Sequence, residues 1–349
     1  MSIVTLQLPD VKRKSESRPR RCPYCDGETF QRWGKVTKPL RDSRYRRAQV
    51  YRYRCCRCRR TFRHYPTGMD RADQTLRLRK LAALLWVLGM SLRGVVTALA
   101  AFGIPLCHMT IWRDLQEQAD QLGKRRQWQG ARVLGVDGLY PLGWGKRKHA
   151  VLVAVDLGTG QPVALGYLDE ANPQAVRRFL QPLVQRLGVS VIVSDDLFSF
   201  RIAAEKLGVE HQVCQFHVRR WVGRTLYELR QTLPEAWHWV LDEIKSLLAE
   251  LPSEGNRRLY ELWKQIPEKR LSPGQPIPPL CQLRDLLIRL CEHWTSYRVF
   301  AWQNGVPWTN NGTEQVIGRM KMRSRTVRGF KSWPGMQAAF MLAGSGVAW

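Results

Sequence analysis

Glu314 and Lys321 lie seven positions apart in the run that begins at Trp308. Seven positions are close to two helical turns, so a helix starting near Asn311 sets the carboxylate and the ammonium on one face, with Arg325 four positions further on. An acid beside a basic track suits phosphodiester chemistry, because a carboxylate can hold a metal ion on the scissile phosphate while Lys and Arg grip the strand. Two further acids, Asp137 and Asp195, end the apolar runs Val-Leu-Gly-Val and Val-Ile-Val-Ser. An unpaired charge there is expensive unless it binds metal or meets solvent. A separate constellation lies near the N-terminus, where Cys22-Pro-Tyr-Cys25 and Cys55-Cys-Arg-Cys58 provide two Cys-x-x-Cys knuckles. Four thiolates at this spacing close a tetrahedral Zn2+ site with no open position, so that metal holds structure and does no chemistry. Cys56 is a spare thiol beside the second knuckle.

The elements must bring these residues together. Residues 131–137 read as a buried strand, 149–156 and 161–168 as a hairpin across Leu-Gly-Thr-Gly, 172–187 as an amphipathic helix and 189–195 as a second buried strand. A further helix is expected over 199–207 and a further strand over 210–216. Three antiparallel strands followed by a helical crossover return the strand ending at Asp195 parallel to the first, which sets Asp137 and Asp195 side by side. Residues 218–307 read as a mainly α-helical insertion, broken by the Pro-rich 272–279. Its Trp237, Trp239, Trp263 and Trp294 are expected mostly in helix packing.

Ahead of the sheet, 1–19 form a basic tail and 20–66 the zinc ribbon. Residues 70–123 have the layout of a helix-turn-helix module, in which Leu81, Leu84, Leu85 and Leu88 recur at helical spacing and Ser91 caps the second helix. The turn Gly103-Ile-Pro precedes a last helix that would offer Thr110 and Arg113 to a major groove. Residues 124–130 read as a basic linker.

The chain of 349 residues carries a formal charge of +27 and nine cysteines. Roughly two fifths of its Lys and Arg precede residue 81. Such an excess implies a polyanionic partner, nucleic acid before membrane. The uncharged side chains around Gly103, Pro105 and His108 read as helix, turn and helix and not as a membrane span, and the few apolar residues at the start are too short for a secretory signal. Clustered cysteines point to metal ligands in a reducing cytoplasm.

Taken as a set, Val-Leu-Gly-Val-Asp137, Val-Ile-Val-Ser-Asp195 and Asn310-Asn-Gly-Thr-Glu314 with Lys321 resemble the three acidic motifs of DDE transposases of bacterial insertion sequences. The resemblance implies an α/β, ribonuclease-H-like mixed sheet with a helical insertion, built from 131–217 and 308–349. It also implies Mg2+ or Mn2+ held by Asp137, Asp195 and Glu314, and cleavage of double-stranded DNA at transposon ends with joining of 3′-hydroxyls to a target. Lys321, Arg319, Arg323, Arg325 and Arg328 would then clamp phosphates, and a homo-oligomer on DNA in the cytoplasm is expected. Cys214-Gln-Phe-His217 resembles the Cys-x-x-His motif of Mutator-like members; an accessory role and a buried thiol beside a core histidine both stay open. Asp196 stands where the family commonly has Gly, so it competes with Asp195 for the role of second acid. The Tyr and Arg of some relatives are replaced by Pro307 and Asn310. The rival readings are a non-catalytic DNA-binding regulator, an inactive descendant of a transposase, or a structure-specific nuclease on the same fold.

Overall fold

In the first part of the chain, β1 (Phe30–Pro39), β2 (Arg47–Cys55) and β3 (Thr61–His64) pair antiparallel in that order. The computed structural model describes residues 8–15, 17–126, 130–141, 149–268, 276–327 and 329–346. Arg328, the linker residues 127–129 and positions 272–275 of the Pro-rich stretch lie outside these. By Cα proximity the chain divides into two units, Met1–Leu122 with Met320–Trp349, and Gly123–Arg319. The sequence grouped 308–349 with the catalytic sheet, whereas here everything from Met320 onward goes with the N-terminal modules.

In the first unit the small ribbon sheet continues into α1 (Leu76–Val87), α2 (Leu92–Ala101) and α3 (His108–Arg126). Thr75 caps α1 and Ser91 caps α2, each accepting a bond from a backbone N–H three residues on. The helix α3 extends into the expected linker. The buried face of α1 is Leu78, Arg79, Ala82, Ala83 and Trp86; Leu88 is 69% exposed. Arg79 turns inward because Asp70 (2.9 Å) and Asp114 (3.5 Å) neutralise it, which a count of apolar spacing does not register. Ribbon and helices are tied by the buried carboxylate of Asp42, which accepts bonds from the Thr75 hydroxyl and the Arg77 guanidinium. The helix α11 (Trp333–Gly344) is apolar nearly all round and packs against α1, as a helix without a polar face must.

The second unit is built on β4 (Val133–Leu139), β5 (Ala150–Asp156), β6 (Gln161–Leu168), β7 (Val191–Ser194) and β8 (Glu210–Val213). The order is β6-β5-β4-β7-β8, with β4, β5 and β6 antiparallel and β4, β7 and β8 parallel. Three antiparallel strands followed by two parallel ones constitute the ribonuclease-H-like sheet that the sequence led us to expect. One face is covered by α4 (Pro173–Leu187) and α5 (Phe198–Leu207), where Leu134, Val136 and Ile192 meet Val176, Leu180 and Phe200. On the other, Val133, Val191 and Val193 meet Val299 and Val306. Burial on both faces explains why these strands read as continuous apolar runs.

The insertion consists of α6 (Gln215–Thr232), α7 (His238–Glu250), α8 (Gly255–Gln265) and α9 (Pro279–His293) around its own core, which includes Val222, Ile244, Leu259 and Leu287. Trp294 is buried there, Trp237 and Trp263 are half-buried against it, and Trp239 is exposed. The chain then enters α10 (Asn311–Arg325), the helix expected around Glu314.

Candidate active site

The parallel pairing of β4 with β7 sets Val133 beside Val191, Leu134 beside Ile192 and Gly135 beside Val193. Continued by two rows, that register brings Asp137, within β4, opposite Asp195, the residue that follows β7. Glu314 reaches the same region from the first turn of α10, where a carboxylate also complements the helix dipole. Its entry is fixed by Asn310, which is 1% exposed. The Asn310 carbonyl accepts from the Glu314 backbone N–H (3.1 Å), its side-chain oxygen accepts from the Thr313 hydroxyl (2.6 Å), and its Nδ2 donates to the Val136 carbonyl (3.0 Å). Gly135 permits this approach, since a Cβ there would run into Thr313 Oγ1.

A fourth acid, absent from the sequence reading, stands beside β4. The Glu170 carboxylate occupies the space a Cβ on Gly138 would take, and its Oε1 accepts a bond from the Tyr140 hydroxyl at 2.5 Å. Burial pushes Asp137 up to about 6, and Glu170 and Glu314 add to the rise against the Gly138 N–H bond and His217. Burial likewise pushes Asp195 up to about 7, with Asp137, Glu170 and Asp196 adding and His217 opposing. Mutually repelling acids of this kind become stable anions when a cation joins them.

The donor set is all carboxylate, the kind of ligand that hard divalent ions such as Mg2+ take. Asp195 Oδ1 is buried and takes no hydrogen bond, while the Gly138 N–H at 2.7 Å fixes the rotamer of Asp137. The carboxylates of Asp137, Asp195 and Glu314 do not gather as tightly as a second set does: the ligand atoms of Cys214, His217 and Glu314 all lie within 4.8 Å of one another. His217 Nε2 is 3.9 Å from Glu314 Oε1. Burial raises the Cys214 thiol, but His217 and the Asn310 N–H outweigh it and hold the thiol below its ordinary value. Cys214 in turn raises the imidazole against the effect of burial.

Asp195 and Asp196 have different surroundings. Asp196 Oδ2 accepts a bond from Arg289 Nη2 at 2.6 Å, whereas Asp195 is near enough to Asp137 for that charge to raise it. In the ribbon, the sulfurs of Cys22, Cys25, Cys55 and Cys58 also lie within 4.8 Å of one another, with Cys22 to Cys58 at 3.7 Å and Cys25 to Cys55 at 3.6 Å. Tetrahedral zinc with Zn–S bonds of about 2.3 Å needs sulfurs about 3.8 Å apart, so these four fit Zn2+ without Cys56.

The expected DNA-binding residues divide. Arg325 and Lys321 are exposed on α10, as is Arg113 on α3, and Thr110 is half-buried. Arg323 departs from the expectation: it is 2% exposed, stacks over the Trp86 ring at 4.2 Å and donates to Thr326 Oγ1 at 2.8 Å. It serves packing and is not offered to a phosphate. Arg319 is half-buried and donates to the Gly160 carbonyl at 3.4 Å.

With this geometry in hand, residues 160–338 match the family model described as Transposase IS66 family, a DDE transposase domain. The chain belongs to the IS66 family of transposases. Asp195, Cys214, His217, Glu314 and Lys321 fall inside the IS66 match, while Asp137 and the ribbon cysteines precede it. No curated protein matches the chain. Among solved structures, the catalytic core domain of BIV integrase aligns with 47% of this chain and 97% of its own at 19% identity. The TM-score is 0.21, too slight a likeness to build on, so the fold of this IS66 member rests on its strand order. Among the described residues no helix is long and apolar enough to cross a membrane.

Proposed function

We propose that this IS66-family chain binds the ends of its insertion sequence as double-stranded DNA, cleaves phosphodiester bonds there and joins 3′-hydroxyl ends to target DNA. Asp137, Asp195 and Glu314 would hold the divalent ions, Mg2+ or Mn2+. The register of β4 with β7 is the observation that supports this most, since its continuation by two rows would set two costly half-buried carboxylates side by side. Bound there, the metal would polarise the scissile phosphate and lower the pKa of the attacking hydroxyl.

The chain's own residues do the rest. Asn310 sets the entry of Glu314 against the strand that carries Asp137. His217, whose imidazole Cys214 holds above its ordinary value, lies 3.9 Å from Glu314 and would offset part of the negative charge when metal is absent. Lys321, Arg319 and Arg325 offer cations along α10, and the charge concentrated before residue 81 supplies sequence-tolerant affinity for DNA. Thr110 and Arg113 on α3 add discrimination of the terminal sequence. We place the reaction in the cytoplasm, in a homo-oligomer assembled on DNA.

A strand-transfer assay with the element's own ends tests this reading. Metal-dependent nicking and joining that fails on scrambled ends is the expected result. Cutting of branched DNA regardless of terminal sequence would instead indicate a structure-specific nuclease, and end binding with no metal-dependent cutting a regulator.

A further inference from the structure

The chain carries two consecutive acids just after β7, and among the described residues one of them, Asp196, has an ion-pair partner. Asp196 bonds to Arg289 of α9 at 2.6 Å, with their side chains 15% and 48% exposed. The Arg289 guanidinium lies over the Trp221 ring of α6 at 4.3 Å. An indole beneath and a carboxylate at the edge fix both the plane and the direction of a guanidinium, which a lysine in its place would not reproduce. Both acids lie just beyond β7, with Asp196 in a bend, and it is Asp196 whose carboxylate turns to the insertion. Asp195 keeps a buried oxygen with no hydrogen bond.

We propose that Arg289 is a positioning residue for the chemistry. By binding Asp196 to the helical insertion, it leaves Asp195 as the one carboxylate of β7 available to metal. Without Arg289, Asp196 would be a free anion next to Asp195, able to swing toward the same cation and hold it off the productive position. The helical insertion therefore takes part in defining the metal site through the Arg289 and Trp221 side chains. This inference rests on the metal-dependent reading of the site given above.

The experiment compares the full-length parent with Arg289→Ala, Arg289→Lys, Asp196→Asn and the double variant Arg289→Ala/Asp196→Asn. Cleavage of pre-bound end DNA is followed over a Mg2+ titration, and a thermal melt of each protein with and without Mg2+ checks folding and reads metal binding apart from activity, the rise on adding Mg2+ being expected to shrink in Arg289→Ala and to return in the double variant. Arg289→Ala should cut at least about tenfold more slowly and need more Mg2+ for half-maximal rate, a tenfold change being about 1.4 kcal/mol in the barrier. Arg289→Lys should fall between it and the parent. Asp196→Asn should stay near the parental rate, and the double variant should recover most of what Arg289→Ala loses, because the competing anion is gone. Equal impairment in Arg289→Ala, Asp196→Asn and the double variant would overturn the inference, showing a pair that only holds the insertion in place. So would a parental rate in Arg289→Ala. A parent that cuts no DNA at any Mg2+ concentration would overturn the functional reading itself, and this inference with it, an outcome distinct from the other two.

Discussion

Asn310 Nδ2 donates to the Val136 carbonyl at 3.0 Å, joining the residue just before Asp137 to the turn that launches Glu314. The same Asn310 gives its backbone N–H to Cys214 Sγ at 3.2 Å, so one buried side chain and its backbone connect β4, α6 and α10. Residues from three distant parts of the chain therefore meet through a single polar hub.

Replacing Asn310 with Ala should leave the Val136 carbonyl and the Thr313 hydroxyl without their buried partner. A loss of about 1–3 kcal/mol of stability is expected for such orphaned groups. Urea unfolding measures it, and cleavage should fall further than the stability loss alone accounts for because Glu314 is released. An unchanged unfolding midpoint would contradict the assignment.

The pH dependence follows from the two raised carboxylates. Asp137 at about 6 and Asp195 at about 7 bind protons more tightly folded than unfolded, where their value is 3.8. The stability these two groups contribute to the metal-free protein should thus be fully present below the unfolded value and be lost as pH rises through about 6 and about 7. Metal needs the ionised forms, so Mg2+ should raise the melting temperature more on the alkaline side of this window than on the acid side. Glu170→Gln removes a negative charge that raises both acids, and the onset of this Mg2+ effect should move to lower pH. Equal Mg2+ shifts on both sides, or an onset that Glu170→Gln leaves in place, would contradict the account.

In the ribbon, Cys22→Ser should abolish zinc binding and unfold the three-stranded sheet, while Cys56→Ser should retain one zinc per chain. Metal analysis of protein purified under reducing conditions reads both. Zinc lost from the Cys56 variant would contradict the assignment of Cys55 as ligand.

Two neighbouring cations on α10 should behave differently. Arg323→Ala opens a cavity over Trp86 and should lower the melting temperature of the N-terminal unit, because a buried stacked guanidinium loses packing as well as charge. Lys321→Ala should leave melting unchanged and slow strand transfer by at least about tenfold with end binding nearly intact. Calorimetry together with a binding assay separates the two; equal thermal losses would refute the distinction.

Much of this arrangement was legible in the sequence. The strands that lead to Asp137 and Asp195 and the hairpin of β5 and β6 announce themselves as apolar runs, because burial on both faces leaves no room for polar residues, although β4 runs on past Asp137 to Leu139. The knuckle spacing likewise reveals the four sulfurs. Glu170 carries no sequence signal, because it lies in no motif, just ahead of α4, and its carboxylate fits against β4 through the missing side chain of Gly138. The burial of Arg323 is not legible in α10 because it depends on Trp86, far away in sequence. The inward face of α1 was hidden for a related reason, since a neutralised Arg79 takes a core position that hydrophobic periodicity assigns to leucine.

The most direct test of the central claim is single-turnover cleavage of end DNA already bound by protein, started by adding Mg2+, in the parent and in Asp137→Ala, Asp195→Ala and Glu314→Ala. The account predicts metal-triggered cutting by the parent and none by any of the three, with end binding nearly unchanged in all. Persistent cutting by any one of these variants would contradict the claim that Asp137, Asp195 and Glu314 hold the metal together.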